Sequence, residues 1–437
     1  MCRKSREVAM SLTFDDKQRS LKQIVYGKTK IKIYGGLESI GGNCIVVESP
    51  SHKIMLDQGV NFSRLKEFYG ISIQPDSVEE LRELGILPPR EAYQGVDEIC
   101  ITHLHLDHLG SLNVPGESSI YLPSKEIAET LSRAWWFGWK QHLLPKTQSF
   151  IKFMDISECK NVKIAKVSHS AFPTYALRID TDDANIIYTG DLRITSLYPS
   201  IADTLRNLEK IREEGVDVLI TEGTNFGRRL NYVSATQYRI TIEELLKDYE
   251  NQVLFFSVHP LDLEAILATL ETVSKFGYTP AFESPYYAQL LDKMLEYADV
   301  YLEYELFFIP RSSKIVHLNN FEIAFLQELR DRKMVMFLSP YGVKDLKYLL
   351  NVLNLPKEGY LHITVIGEPL SEESIIEERK LESWLRLLGT TSLRIHVSGH
   401  YLPHEFKKII NTLKPKELIP IHTRASRAMM RLFEKCK

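Results

Sequence analysis

Four side chains of metal-binding type crowd into one short stretch, Thr102-His103-Leu104-His105-Leu106-Asp107-His108-Leu109-Gly110. Imidazole and carboxylate both suit zinc. His103 and His105, two apart, can share one ion. Asp107 and His108 are displaced from them and can reach a second ion about 3.5–4 Å away, the spacing of two-metal hydrolases. The bland reading is a polar loop that happens to hold histidines, but four ligand-type residues at this density rarely serve packing alone.

Such a cluster needs elements that aim it. Residues 96–101 run into it with an apolar end that reads as a buried strand. Strand-like runs over 30–34, 43–48 and 53–57 come earlier, with a glycine-rich loop over 35–42 and Asp57 closing the third run. Downstream, 162–168 reads as a strand followed by His169. The run 184–189 leads into Gly190-Asp191-Leu192-Arg193, and 216–221 ends at Glu222. Near the end, 393–397 leads into Ser398-Gly399-His400, and 417–421 leads into His422. A structural role would explain any one of these residues. Together they repeat one pattern, an apolar strand closed by a metal-type or acid–base side chain, which is what a site on a sheet rim requires.

The rest of the chain sorts around this frame. Residues 1–29 read as a short helix or arm, and 61–95 as an insertion with a helix near 77–84. Trp135, Trp136 and Trp139 crowd one helix and read as core or dimer contacts, with base stacking as the alternative. From 237 to 388 strands and helices alternate, the rhythm of a parallel sheet flanked by helices. The domains expected are therefore an arm (1–29), a first unit in two pieces (30–236 and 389–437), and an α/β unit inserted between them (237–388).

Composition excludes several classes. With 44% hydrophobic and 25% charged residues and a net charge of -3, there is no global basic signature. A local groove with bound cations could still attract phosphates. Five scattered cysteines form no C-x-x-C pair and read as reduced thiols. No apolar run reaches the ~18 residues of a membrane span. The first residues lack the apolar core of a secretion signal, so a cytoplasmic protein without a membrane partner is expected.

His-x-His-x-Asp-His, followed by a single later His and a single later Asp, resembles the metallo-β-lactamase superfamily over 30–222 and 389–437. A narrower resemblance is to the β-CASP nucleases, ribonuclease J and the cleavage and polyadenylation endonuclease among them. It rests on Glu222-Gly223-Thr224-Asn225-Phe226-Gly227-Arg228, the alternating insert, Ser398-Gly399-His400 and Pro420-Ile421-His422. Ile194-Thr195 follow Arg193 where relatives often carry His-Gly. The resemblance implies an α/β fold, an αββα sandwich with an inserted β-CASP domain, and RNA held between the two. His422, where DNA-processing members usually carry Val, leans toward RNA.

The roles implied are as follows. Two zinc ions would be held, the first by His103, His105 and His169 and the second by Asp107, His108 and His422. Asp191 would bridge them, since one carboxylate can serve two cations. Metal binding lowers the pKa of a shared water toward ~7, and the resulting hydroxide would attack phosphorus, with Asp107 counted in the catalytic group. His400 would be the general acid, held by Glu222. The Ser398 hydroxyl and the Gly399 amide would contact the scissile phosphate. Asp57 would support the histidines from behind. The activity implied is that of a zinc-dependent ribonuclease, endo- or exonucleolytic, in a chain that could form a homodimer. The alternatives are a DNA nuclease of the same fold, a hydrolase of small esters or thioesters, and a non-catalytic scaffold. Scaffold relatives lose ligands, whereas this chain keeps all seven.

Overall fold

The computed structural model describes residues 22–436 except 71, 113, 117, 136–152, 213–214, 228–231, 249–252, 311–317, 330–331, 339–342, 353–359 and 368–371. Its strands form three sheets. In the first, β1 (Lys22–Tyr26), β2 (Thr29–Gly35), β3 (Cys44–Glu48), β4 (Lys53–Leu56), β5 (Glu98–Cys100), β6 (Ser119–Leu122) and β7 (Phe153–Asp155) lie side by side in chain order. Strands β1 to β4 pair antiparallel, and β4 to β7 pair parallel.

The expected helix or arm over 1–29 fails at its end. Residues Lys22–Tyr26 form a strand that turns back onto β2. Gly27 permits the tight turn with φ 55°, the left-handed region that glycine enters freely. Residues 1–21 lie outside the described chain, as do Trp136 and Trp139. Trp135 closes the helix Lys125–Trp135.

The second sheet starts with β8 (Lys163–Val167), β9 (Thr174–Asp180), β10 (Asn185–Tyr188) and β11 (Val218–Glu222). Strand β9 has no counterpart among the expected strands. A charged residue interrupts its apolar run, yet Arg178 is 1% exposed. Its guanidinium meets Asp180 and the carbonyls of Ile211 and Gly215, which offsets the cost of burying a charge.

The third sheet holds β12 (Val253–Val258), β13 (Thr279–Phe282), β14 (Phe307–Phe308), β15 (Glu322–Ile323), β16 (Met334–Leu338), β17 (Tyr360–Ile366) and β18 (Thr390–His396). Its order is β15-β14-β13-β16-β12-β17-β18, and every pairing is parallel. Helices Leu263–Lys275, Pro285–Ala298, Val343–Val352 and Glu372–Leu387 make crossovers, as parallel strands demand. Asp262 and Ser284 cap the first two through their side chains. Strand β12 is buried along its whole length, the mark of a sheet covered on both faces. Strand β18 pairs with β17 over seven residues, so this sheet runs past residue 388, the boundary expected for the insert.

The chain then returns to the second sheet. Strand β19 (Glu417–Ile421) pairs parallel with β11 and completes the order β19-β11-β10-β9-β8. An apolar layer that includes Ile31, Ile45, Leu56, Leu177, Ile186 and Ile419 joins the first two sheets face to face. On the outer face of the second sheet, Leu208, Phe406, Ile409 and Met429 bring helices against it. The fold is thus a mixed α/β αββα sandwich of the metallo-β-lactamase type, joined to a third, wholly parallel sheet.

One buried titratable group tests this third sheet. His362 on β17 is 2% exposed, with Nε2 3.0 Å from Ser257 Oγ on β12. Burial pulls its pKa from 6.5 to about 4. The unfolded chain therefore takes up a proton near pH 6.5 that the folded chain refuses until about pH 4. His362 should cost nothing above that window, about 2 kcal/mol at pH 5, and about 3 kcal/mol below it. Urea melts of the wild type and of His362→Gln should show stabilities that differ by this amount more at about pH 5 than at pH 7.

Candidate metal centre

Every element closed by a ligand-type residue in sequence brings that residue to one place. The loop after β5 supplies His103, His105, Asp107 and His108. Strands β8, β10 and β19 lead into His169, Asp191 and His422, and β4 leads into Asp57. Four groups of donor atoms result, each with its atoms within 4.8 Å of one another: His103-His105-His169, His103-Asp107-His108, His108-Asp191-His422 and His169-Asp191-His400. All seven expected ligands are included. His400 joins them, although the role expected for it was proton transfer. The remaining described histidines fall in none of these groups. Of these, His259 has its ring centroid 5.5 Å from that of His105.

Hydrogen bonds behind the cluster choose which nitrogen faces inward. His169 Nδ1 donates to the Gly399 carbonyl at 2.7 Å, which leaves Nε2 toward His105 Nδ1 at 3.3 Å. His108 Nδ1 donates to Asp57 Oδ2 at 2.7 Å, and its Nε2 lies 3.1 Å from Asp191 Oδ2. His422 Nδ1 lies 2.7 Å from Thr224 Oγ1, and its Nε2 lies 3.1 Å from Asp107 Oδ2. A ligand imidazole held through its other nitrogen has a fixed tautomer and ring plane.

Backbone strain serves the same end. Asp57 and His422 both take left-handed φ, 58° and 50°, and such non-glycine outliers cluster at functional sites. Gly190 is compulsory, because at φ 56° a Cβ would sit 2.8 Å from the Thr102 side chain.

The donor set fits divalent cations. His103 Nε2 and Asp191 Oδ1 are buried without a hydrogen-bond partner, which leaves two lone pairs aimed into the cluster. Burial, together with the neighbouring imidazoles, holds the His103 pKa well below its ordinary value, so its nitrogen is a neutral donor. Burial pushes the Asp191 carboxyl up, but His422, His108 and His400 outweigh it and hold it well below the usual range. Neutral imidazole and ionised carboxylate are the forms that bind metal.

Beside the cluster, His400 Nδ1 lies 2.9 Å from Glu222 Oε1. Glu222 is fully buried, and its oxygens also accept from the amides of Leu192 and Thr224. The His400 ring centroid lies 5.0 Å from that of His169 and 5.9 Å from that of His422.

Two expected substrate contacts take other partners. The Gly399 amide has one proton and donates it to the Gly367 carbonyl at 2.7 Å, so it cannot serve a phosphate. The Ser398 hydroxyl donates to His400 O and accepts from His400 N and Asn225 Nδ2, which pins the turn carrying His400.

Several supports carried no warning in the sequence. Thr102 binds Asp57 through its amide and hydroxyl and touches His103 Nδ1 at 3.1 Å. The Tyr188 hydroxyl donates to Asp57 Oδ2 at 2.5 Å and accepts from Asn43 at 3.2 Å. Tyr188 ends an apolar strand and looks like core. Thr102 does adjoin the histidine stretch, a proximity that could have marked it.

The sandwich, with a metal-type cluster on its rim and a parallel α/β sheet beside it, has the fold that the sequence resemblance implied. No family model matches the chain. It is 22% identical to ribonuclease J of Pyrococcus abyssi over 417 residues, 90% of this chain and 89% of that protein. Ribonuclease J of Methanocaldococcus jannaschii is also 22% identical, over 90% of this chain and 91% of its own length. Against ribonuclease J of Helicobacter pylori the match covers 92% of this chain but 57% of the relative. A crystal structure of a protein of unknown function from Enterococcus faecalis shares the fold, with a TM-score of 0.69, 23% identity, and coverage of 92% of this chain and 95% of the other. The chain is thus similar to the ribonuclease J proteins along most of its length.

Proposed function

We propose that this protein is a zinc-dependent ribonuclease that hydrolyses RNA phosphodiester bonds at the rim of the sandwich. The observation that carries this reading is the His400–Glu222 pair beside the ligand cluster, a proton donor next to metal-binding groups. A hydrolase of small esters needs no such donor. Homology to ribonuclease J points to RNA as the polymer.

In this reading His103, His105 and His169 would hold one zinc ion and Asp107, His108 and His422 the other, with Asp191 shared. Two such ions, when bound, would supply Lewis acidity toward a phosphate and lower the pKa of water. The chain's own groups do the rest. Glu222 keeps the His400 imidazole protonated at Nδ1 and fixes its plane. Nε2 is left to give a proton to the departing ribose oxygen. Asp57 fixes His108, and Thr224 fixes His422. Residues 22–236 and 397–437 make the sandwich, and 237–396 make the inserted unit. No described helix is long and apolar enough to cross a membrane.

The test is a time course with the zinc-loaded protein on RNA labelled at either end, carrying a 5′-hydroxyl, monophosphate or triphosphate. Cleavage that a chelator abolishes and zinc restores is expected. Protein holding two zinc ions that leaves every such RNA intact would refute the reading, and cleavage of single-stranded DNA alone would move it to a DNA nuclease. Light scattering of the same samples checks for a homodimer. Asp57→Asn should weaken metal affinity about 10- to 100-fold, because His108 loses the carboxylate that orients it. Competition against a chromophoric chelator measures this.

A further inference from the structure

Arg193 is a buried cation that the chemistry above does not use. Its side chain is 3% exposed. Nη2 meets Asp262 Oδ2 at 2.9 Å, and Nη1 lies 3.7 Å from Glu264 Oε2. These acids come from the third sheet's side, at the start of helix Leu263–Lys275, whereas Arg193 stands two residues after Asp191. Both acids have further duties. Asp262 Oδ1 caps that helix by accepting from the Ala265 amide. Glu264 Oε2 accepts from Ser196 Oγ at 2.8 Å and from the Leu197 amide at 3.0 Å.

These contacts close a circuit around the site. The Arg193 amide donates to Ser168 O at 2.7 Å, next to His169. His169 donates to Gly399 O, and Gly399 N donates to Gly367 O. Gly367 presses on the pair itself, since a Cβ there would lie 2.7 Å from Ser170 Cβ and 3.2 Å from Asp262 Oδ2. His400 follows Gly399 directly. Arg193 thus sits where the segment that carries His400 meets the sandwich.

A buried ion pair is weak grounds for stability, because apolar residues of similar volume often do as well. What a guanidinium adds is a rigid planar fork with fixed directions. We infer that Arg193 is a positioning residue, whose pairing with Asp262 and Glu264 sets the reach of His400 to a phosphate held at the metal centre. The inference rests on the ribonuclease reading.

The test uses zinc-loaded wild type, Arg193→Lys and Asp262→Asn, each checked for metal content and a cooperative melt. RNA is compared with bis(p-nitrophenyl) phosphate, whose p-nitrophenolate departs without a proton and so needs no His400. Both variants should lose about 10- to 100-fold in kcat on RNA, the scale of a misplacement near 1 Å, with KM little changed. Hydrolysis of the small diester should stay within about threefold, since only steps that need the proton donor respond to its position. Amide exchange over residues 396–402 should quicken in both variants, a readout independent of turnover. Equal loss on both substrates, no loss on RNA, unchanged exchange, or failure of both variants to fold would each overturn the inference. Wild type that hydrolyses the small diester but no RNA would instead overturn the ribonuclease reading, before any variant is compared.

Discussion

His400→Ala should lower turnover on RNA by about 10²- to 10⁴-fold, the usual contribution of a positioned general acid. The zinc content should not change. The departing ribose oxygen is a poor leaving group unless protonated, and in the proposed mechanism the Glu222-held imidazole supplies that proton. The variant should fold, because Glu222 keeps its two amide donors from Leu192 and Thr224. Bis(p-nitrophenyl) phosphate should still be hydrolysed. The measurement is kcat on both substrates with metal analysis of the same preparation. Loss of a zinc ion together with activity would assign His400 to the metal instead, which its grouping with His169 and Asp191 makes a real alternative.

Asp191→Ala should remove metal and activity together. Asp191 Oδ2 stands 3.1 Å from His108 Nε2, 3.7 Å from His422 Nε2 and 3.9 Å from His400 Nδ1, and Oδ1 has no hydrogen-bond partner. Its removal leaves several imidazoles facing one another without the anion that balances the ions. Metal-ion assistance is worth several kcal/mol, so RNA cleavage should fall by more than about 10³-fold. The zinc-to-protein ratio should fall below two. Mass spectrometric metal analysis and a calorimetric zinc titration would check this. A variant that keeps two ions at wild-type affinity would remove Asp191 from its bridging position.

The ligand cluster was legible because local sequence carried it. Each donor closes an apolar run, and a strand end at a sheet rim is where a side chain can be both fixed and exposed to a ligand. The contrast with Ser398 and Gly399 is instructive. The residue types suit a phosphate, but hydrogen-bonding capacity is finite, and the turn that presents His400 consumes it. Arg178 hid strand β9 because a charge in an apolar run suggests solvent until its partners from Asp180, Ile211 and Gly215 are known. Strand β18 moved from one unit to the other because its apolar pattern is the same whichever sheet it joins. Only its pairing with β17 decides.

By itself the sequence determined the donor types that could meet a metal and most of the strands that carry them. Donor type, spacing and the period of apolar residues are local properties, written within a few neighbours. The tertiary structure alone decided which donors meet, which nitrogen each histidine turns inward, that Tyr188 and Thr102 brace Asp57, and that Arg193 ties the two lobes together. Those facts depend on contacts between residues tens to hundreds of positions apart, such as Thr224 with His422 and Glu222 with His400. No local pattern encodes a distance that only the packing of sheet against sheet sets.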